Sequence, residues 1–292
     1  MPTVAKRPSE MLKFYGGQVT IEKKPWGDHH RFIKVGSTGG LLSSTKCTRY
    51  LDKPALIGWA VGLVGSHITS TFQSRQGTTF SKDEIMLVVG EAIMKPEEAK
   101  VKGGKTGDVI HDFAHDFALS KITGSPMPTV DHIDDEDPEG KKALNGINAF
   151  LDWYGNPANE VEFIAMETPM YYNSLLAGDS KPGETVIEYI GIIDLVAKVK
   201  GRVGVWDYKT GKRVYSEQRY QLSSYRKGRL PDNMNVKPAE QSGVLNFSKE
   251  TGELNEVTIA NEDSEKDFEA FKGLWMFAKR EAELDADYKN NK

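Results

Sequence analysis

Hydrophobic positions along the chain change period several times, and each change predicts an element. The first 35 residues read as turns and short strands, with "VTIEKKPWGDHHRFIKV" predicted as a hairpin turning at Gly27-Asp28. In "STKCTRYLDKPALIGWAVGLVGSHI" the spacing becomes helical: Leu56, Ile57, Ala60, Val61 and Val64 share one side, and Pro54 lies near a helix start. Ser81 followed by Glu84 is a capping box that opens a second helix, "KDEIMLVVGEAIM". A third, "TGDVIHDFAHDFALSK", turns Val109, Ile110, Phe113, Ala114, Phe117 and Ala118 to one face, with His111 at the border and His115 one turn on, toward the polar side. The acidic, Pro-rich "SPMPTVDHIDDEDPEG" reads as an exposed loop before the helix "KKALNGINAFLDWYG".

Strand signals dominate after that helix. "VEFIAMETPMYY", "TVIEYIGIIDLVAKV" and "GRVGVWDYKTG" are apolar runs separated by Gly, Pro and Asp clusters. "SEQRYQLSSYRKG" is a helix with Ser216 as expected N-cap and Gly228 just past its end. A strand pair, "SGVLNFSKETGELNEVTIA", and a final helix, "SEKDFEAFKGLWMFAKREAEL", follow. Helix, three strands, helix and further strands indicate an α/β fold, a central mixed β-sheet flanked by helices on both faces. With 292 residues and no long Pro/Gly linker, one domain is expected over 1–292: an N-terminal helical elaboration to about 105, a core over about 106–260 and a C-terminal helix over about 262–285.

Composition narrows the function. The apolar string "IGWAVGLVG" is short and Gly-rich for a bilayer span, and "MPTVAKRPSEMLK" lacks the apolar stretch of a signal peptide, so no membrane partner and a cytoplasmic location are expected. A single cysteine, Cys47, excludes an internal disulfide and a self-contained four-cysteine metal site. Net charge is −4, but Lys198 to Arg229 carries ten basic and two acidic residues, +8 against −12 for the rest, an uneven distribution that fits a polyanionic partner.

The basic stretch contains an odd strand. Side chains two apart on a strand point the same way, so Asp207 and Lys209 share a face of what is otherwise a core strand. On the preceding strand Asp194 shares a face with Glu188, Ile190 and Ile192, and a hairpin between the two strands would bring Asp194 to Asp207. Two adjacent carboxylates call for a cation, and an all-oxygen site suits a hard ion, Mg2+ or Mn2+. The neighbouring lysine offers positive charge to a phosphate oxygen and can hold an attacking water. Together these groups describe phosphodiester hydrolysis. His111 and His115 form an H-x-x-x-H, but a zincin needs glutamate directly after the first histidine, and Asp112 stands there.

Gly107-x-x-x-His111, Gly191-Ile192-Ile193-Asp194, Asp207-Tyr208-Lys209-Thr210 and Gln221-x-x-x-Tyr225 occur in the order and approximate spacing of one family. On these motifs the chain resembles the RecB-like exonuclease branch of the PD-(D/E)XK nuclease superfamily, over roughly residues 40 to 250. The resemblance implies a restriction-endonuclease-like core in which His111, Asp194, Asp207 and the carbonyl of Tyr208 bind metal. It implies that Lys209 is catalytic alongside Asp194 and Asp207, and that Gln221 and Tyr225 contact DNA or brace the site. Lys212, Arg213 and Arg219 extend the expected DNA contacts, and Glu167 matches an additional site glutamate found on an earlier core strand of many members. Ile193 replaces the nominal proline before the first aspartate, and the iron-sulfur cysteines of some relatives are missing. The implied protein is a cluster-free, Mg2+- or Mn2+-dependent DNA exonuclease of phage type. Its expected setting is recombination, repair or DNA breakdown in a virus-infected host cell, with a recombination or single-strand-binding protein as partner. Two rivals stand beside it: a non-catalytic DNA-binding module on a nuclease scaffold, and an RNA- or site-specific endonuclease.

Overall fold

The computed structural model describes residues 9–26, 29–51, 53–181 and 183–290. Its centre is a five-stranded mixed sheet in the order β4 (Glu162–Asn173), β5 (Glu188–Val199), β6 (Arg202–Lys209), β7 (Gln241–Phe247) and β8 (Leu254–Ile259). Only the β6–β7 pair is parallel. A parallel neighbour requires a crossover, and α6 (Ser216–Lys227) supplies it. The expected mixed α/β sheet with helices on both faces is therefore what forms.

Alternate residues of the central strands feed two cores. Leu195, Ala197, Trp206, Tyr208, Leu245 and Phe247 pack under α3 (Lys82–Thr123) and α4 (Pro138–Gly155) through Ile110, Ala114, Phe117, Ile147 and Phe150. Met170, Tyr189, Val205 and Val244 pack on the other face, against Leu222 and Tyr225 of α6 and Phe268, Phe271 and Trp275 of α7 (Asn261–Asn290). A separate antiparallel sheet, β1 (Glu10–Phe14), β2 (Val19–Trp26) and β3 (His29–Lys34), seats Phe14 and Ile21 against Tyr171 and Ile190. Lys34 Nζ bonds Glu188 Oε1 at 2.6 Å across this seam. The expected hairpin is the β2–β3 pair, with its turn at 27–28 outside the described residues.

Four expectations change. The helices expected to start at Ser81 and near Thr106 are one 42-residue helix, α3, so a boundary at about 105 falls inside it. The Ser81–Glu84 capping box does open it, and the helix runs unbroken through Pro96, Gly103 and Gly104. The N-cap of α6 is Tyr215, whose N–H donates to Gln218 Oε1 at 2.8 Å, and Ser216 is the first helical residue. Finally, α1 (Ser44–Thr48) is separate from α2 (Pro54–Ser74), which packs along the first half of α3 through His67–Glu91 and Phe72–Phe80. The apolar run is longer than the nine-residue string indicated. Ala55–Ser74 is 20 residues with mean hydropathy 1.3, long and apolar enough to cross a membrane, and none of it is buried.

Candidate active site

The β5–β6 ladder runs from Val199↔Arg202 to Leu195↔Trp206, and the next position sets Asp194 opposite Asp207. There the strands fork. Tyr208 N–H donates to Asp194 Oδ2 at 2.9 Å, so a backbone donor serves a carboxylate where the ladder ends. Ile193 and Leu195 pack in opposite cores although only two apart, which marks a sharp twist of β5 at Asp194.

Asp207 is 1% exposed. Lys209, on the same face, places Nζ 2.5 Å from Asp207 Oδ2 and donates to the Tyr208 carbonyl at 2.9 Å. Asp207 Oδ1 finds no donor among the described residues. Burial is the main force raising the pKa of both aspartates; Lys209 opposes it, and the neighbouring Asp194 charge raises Asp207 further. Burial works against the Lys209 ammonium, but Asp207 and Asp194 outweigh it and raise the lysine pKa. The result is a diacid that one ammonium neutralises only in part.

The motif glycines have packing reasons. A Cβ on Gly191 would lie 2.4 Å from Met170 Cε and 2.7 Å from Tyr225 Cε1, so glycine lets α6 close over β5. A Cβ on Gly107 would meet Thr210 Oγ1 at 3.0 Å, which ties the α3 motif to the end of the Asp-x-Lys-Thr strand. One turn beyond Gly107, half-buried His111 sets its ring edge-on to Tyr208, centroids 5.7 Å apart. Burial first, then Lys209, lowers the His111 pKa, leaving a neutral imidazole at neutral pH. Gln221 and Tyr225 hydrogen-bond each other on α6, and Gln221 Nε2 also reaches Thr45 Oγ1 at 3.4 Å.

Glu167 is exposed on β4 with φ at +42°, a left-handed conformation in the middle of a strand. The flanking pairs Met166↔Leu195 and Thr168↔Ile193 put it opposite Asp194. Residues held in this region cluster at functional sites.

The structure thus gathers Asp194, Asp207, Lys209 and Tyr208, with His111, Glu167, Gln221 and Tyr225 around them. It does not gather the basic segment. Lys198, Lys200 and Arg202 lie at the β5–β6 turn, the far end of the strands, where Lys198 pairs with Glu162 at 2.8 Å. Arg219 bonds Asp267 at 2.9 Å and Lys227 reaches Glu265 at 2.7 Å, both on α7. Arg219 thereby braces α6 against α7. Lys212 and Arg213 sit in the exposed loop that follows Lys209, where the Arg213 guanidinium lies 4.8 Å from the Tyr215 ring centroid. His115 pairs with its neighbour Asp116 at 3.0 Å. Sequence reasoning missed Thr45; the signal was the Gln-x-x-x-Tyr pair itself, whose polar tips need a partner where they emerge from the core.

No three His, Cys, Asp or Glu side chains form a closed metal cluster among the described residues. What is present fits a hard divalent ion: two touching carboxylates, one oxygen without a donor, and a backbone carbonyl occupied by an ammonium.

The chain was compared with known proteins. A family model described as the PD-(D/E)XK nuclease superfamily matches residues 96–289. No curated protein matches the chain significantly. A solved structure titled "Crystal structure of SSO0001" is similar at 10% identity over 60% of this chain and 86% of that chain, with a TM-score of 0.25, too low to bear on function.

Proposed function

This chain belongs to the PD-(D/E)XK nuclease superfamily, and we propose that it is a metal-dependent deoxyribonuclease acting as an exonuclease, with Asp194, Asp207 and Lys209 as its catalytic set. The single observation that carries the reading is the fork of β5 and β6, where two carboxylates and one ammonium converge in a buried pocket. A structural salt bridge would pair one lysine with one acid. Here a second, half-buried acid is left over, and a proton or another cation must balance it.

Members of the superfamily typically use divalent metals, and Mg2+ or Mn2+ is the ion proposed here. Asp194 and Asp207 would hold it, with the Tyr208 carbonyl and the neutral imidazole of His111 as further donors. When bound, such an ion polarises the scissile phosphate and acidifies an attacking water. Lys209 then turns its ammonium to the phosphate, where it stabilises the growing negative charge and hydrogen-bonds a non-bridging oxygen. Gln221 and Tyr225 act as positioning residues, because their bonds fix α6 and α1 at the rim. Lys212 and Arg213, in the exposed loop directly downstream of Lys209, supply positive charge for DNA. The setting proposed is cytoplasmic DNA recombination or breakdown, with phage-type origin and a recombination or single-strand-binding partner resting on the motif resemblance alone.

End-labelled single- and double-stranded DNA, with matched RNA, digested with Mg2+, Mn2+ or chelator tests this. Progressive shortening from an end that chelator stops is expected. Fixed internal cuts would replace the exonuclease reading with an endonuclease, and RNA cleavage alone would replace the substrate. Binding without cleavage under every metal would leave a DNA-holding scaffold.

A further inference from the structure

A cavity of about 550 Å3 opens over the part of β5 that precedes Asp194. Its floor is Ile190, Gly191 and Ile192 of β5, and Glu167 stands on its rim. These floor residues precede Asp194 by two to four positions, about 7–13 Å along the strand. The walls come from the β2–β3 hairpin and from α1, and they carry Lys23, His29, His30 and Lys46. Among the described residues Glu167 is the one carboxylate of the lining.

Among the described residues no carboxylate approaches either lysine more closely than 3.9 Å. Lys46 forms no ion pair among the described residues, and the nearest acid to Lys23 is Glu10 at 3.9 Å. Ser43 and Thr45 add hydroxyl donors, and Thr45 is the group that Gln221 reaches. Just outside, Trp26 is 64% exposed with the Arg31 guanidinium 5.3 Å from its ring centroid. Cations and hydroxyl donors around a floor that ends two residues before Asp194, with an exposed aromatic outside, fit a nucleic-acid strand. They do not fit an apolar ligand.

We propose that this cavity is a phosphate-binding subsite, in which Lys23 and Lys46 hold a phosphate of the substrate strand next to the bond aligned at Asp194 and Asp207. The inference rests on the nuclease reading for its substrate class, and it moves the DNA-facing surface from the basic stretch 198–229 to the N-terminal sheet and α1. Glu167, between subsite and diacid, separates the held phosphate from the scissile one. The phosphate is either the terminal monoester of a strand or an internal diester, and both present the same oxygens to the lysines.

The test uses the full chain in chelator, so that nothing is cut, and fluorescent single-stranded oligonucleotides bearing 5′-phosphate, 3′-phosphate or hydroxyl ends. Lys23→Ala/Lys46→Ala is expected to weaken binding at least about tenfold and to flatten the salt dependence by roughly 0.7 per lost phosphate contact. Lys23→Arg/Lys46→Arg should keep the slope, and Lys198→Ala, at the far turn, should change neither. Loss confined to one phosphorylated end assigns the terminal monoester; equal loss on all three assigns the internal diester. Unchanged affinity in the alanine pair, or loss in the arginine pair as large as in the alanine pair, overturns the subsite. These outcomes are independent of turnover. If the wild type cleaves no nucleic acid yet the alanine pair loses affinity, the nuclease reading fails and the subsite stands; if it cleaves and the pair binds normally, the reverse holds.

Discussion

Glu167 faces Asp194 across the β4–β5 pair, at the one strand position among the described residues where a non-glycine backbone is held at positive φ. A strand with a left-handed residue in its middle costs on the order of 1 kcal/mol relative to glycine at the same place. That cost is tolerated where the carboxylate itself is needed. Glu167→Gly is therefore expected to be more thermally stable than Glu167→Ala, by about 1 kcal/mol, while both lose cleavage relative to wild type. Thermal midpoints and single-turnover rates check the pair; an alanine variant as stable as the glycine variant removes the strain, and full activity in both removes Glu167 from the site.

Much of this site could be read from the chain because strands have a period of two. Asp207 and Lys209 share a face for that reason, and one hairpin places Asp194 opposite Asp207. The left-handed turn at Glu167 was not readable, since a glutamate carries no signal for positive φ. Nor was the fate of the basic stretch. Counting charge along residues 198–229 joins the β5–β6 turn to α6, which the fold separates, and α7 supplies Asp263, Glu265 and Asp267 to absorb Arg219 and Lys227. Helix α3 reads as two helices because Pro96, Gly103 and Gly104 look like breaks. Lys249 Nζ donates to the Gly103 carbonyl at 2.8 Å, a contact made only once β7 is in place.

Gly191 gives the second prediction. A Cβ there would sit inside the van der Waals envelope of Met170 and Tyr225. Gly191→Ala should cost roughly 1–3 kcal/mol of stability, the range for overpacking a full core. It should also loosen Tyr225 and Gln221 from Thr45, so cleavage should fall by more than the unfolded fraction explains. Met170→Ala in the same chain makes room on one side and should restore part of the loss in thermal midpoint. An unperturbed Gly191→Ala protein would mean that α6 does not seat on β5 this closely.

Metal and pH are linked through the diacid. Folded Asp194 and Asp207 have pKa values above the unfolded carboxylate value near 4, with Asp207 reaching about 6. Native protein therefore binds more protons than unfolded protein between those limits, and stability from these groups is present at pH 4 and lost as pH rises to 6. A divalent ion replaces the protons. The rise in thermal midpoint on adding Mg2+ or Mn2+ should be larger at pH 7.5 than at pH 5, and should vanish in Asp207→Asn. An equal shift at both pH values, or one that survives Asp207→Asn, places the ion elsewhere.

Lys209 separates catalysis from structure most sharply. Its ammonium contacts Asp207 and the Tyr208 carbonyl, two of the groups proposed for the metal, so in metal-free protein it balances one of the two acids. Removing it in Lys209→Ala leaves two buried acids without a counter-charge. The metal-free thermal midpoint should fall, while divalent-ion affinity should hold or tighten because a competitor has gone. Turnover should still drop by roughly 100-fold or more with metal saturating, the scale of losing one preorganised charge at the transition state. Lys209→Arg should restore the metal-free midpoint, since a guanidinium still neutralises the acids, yet leave turnover low because its planar donors meet a phosphate oxygen differently from a compact ammonium. A merely structural lysine predicts the other pattern, in which arginine restores midpoint and turnover together. Midpoints with and without metal, beside single-turnover rates for the three proteins, decide between them; near-wild-type cleavage by Lys209→Ala would remove Lys209 from the chemistry.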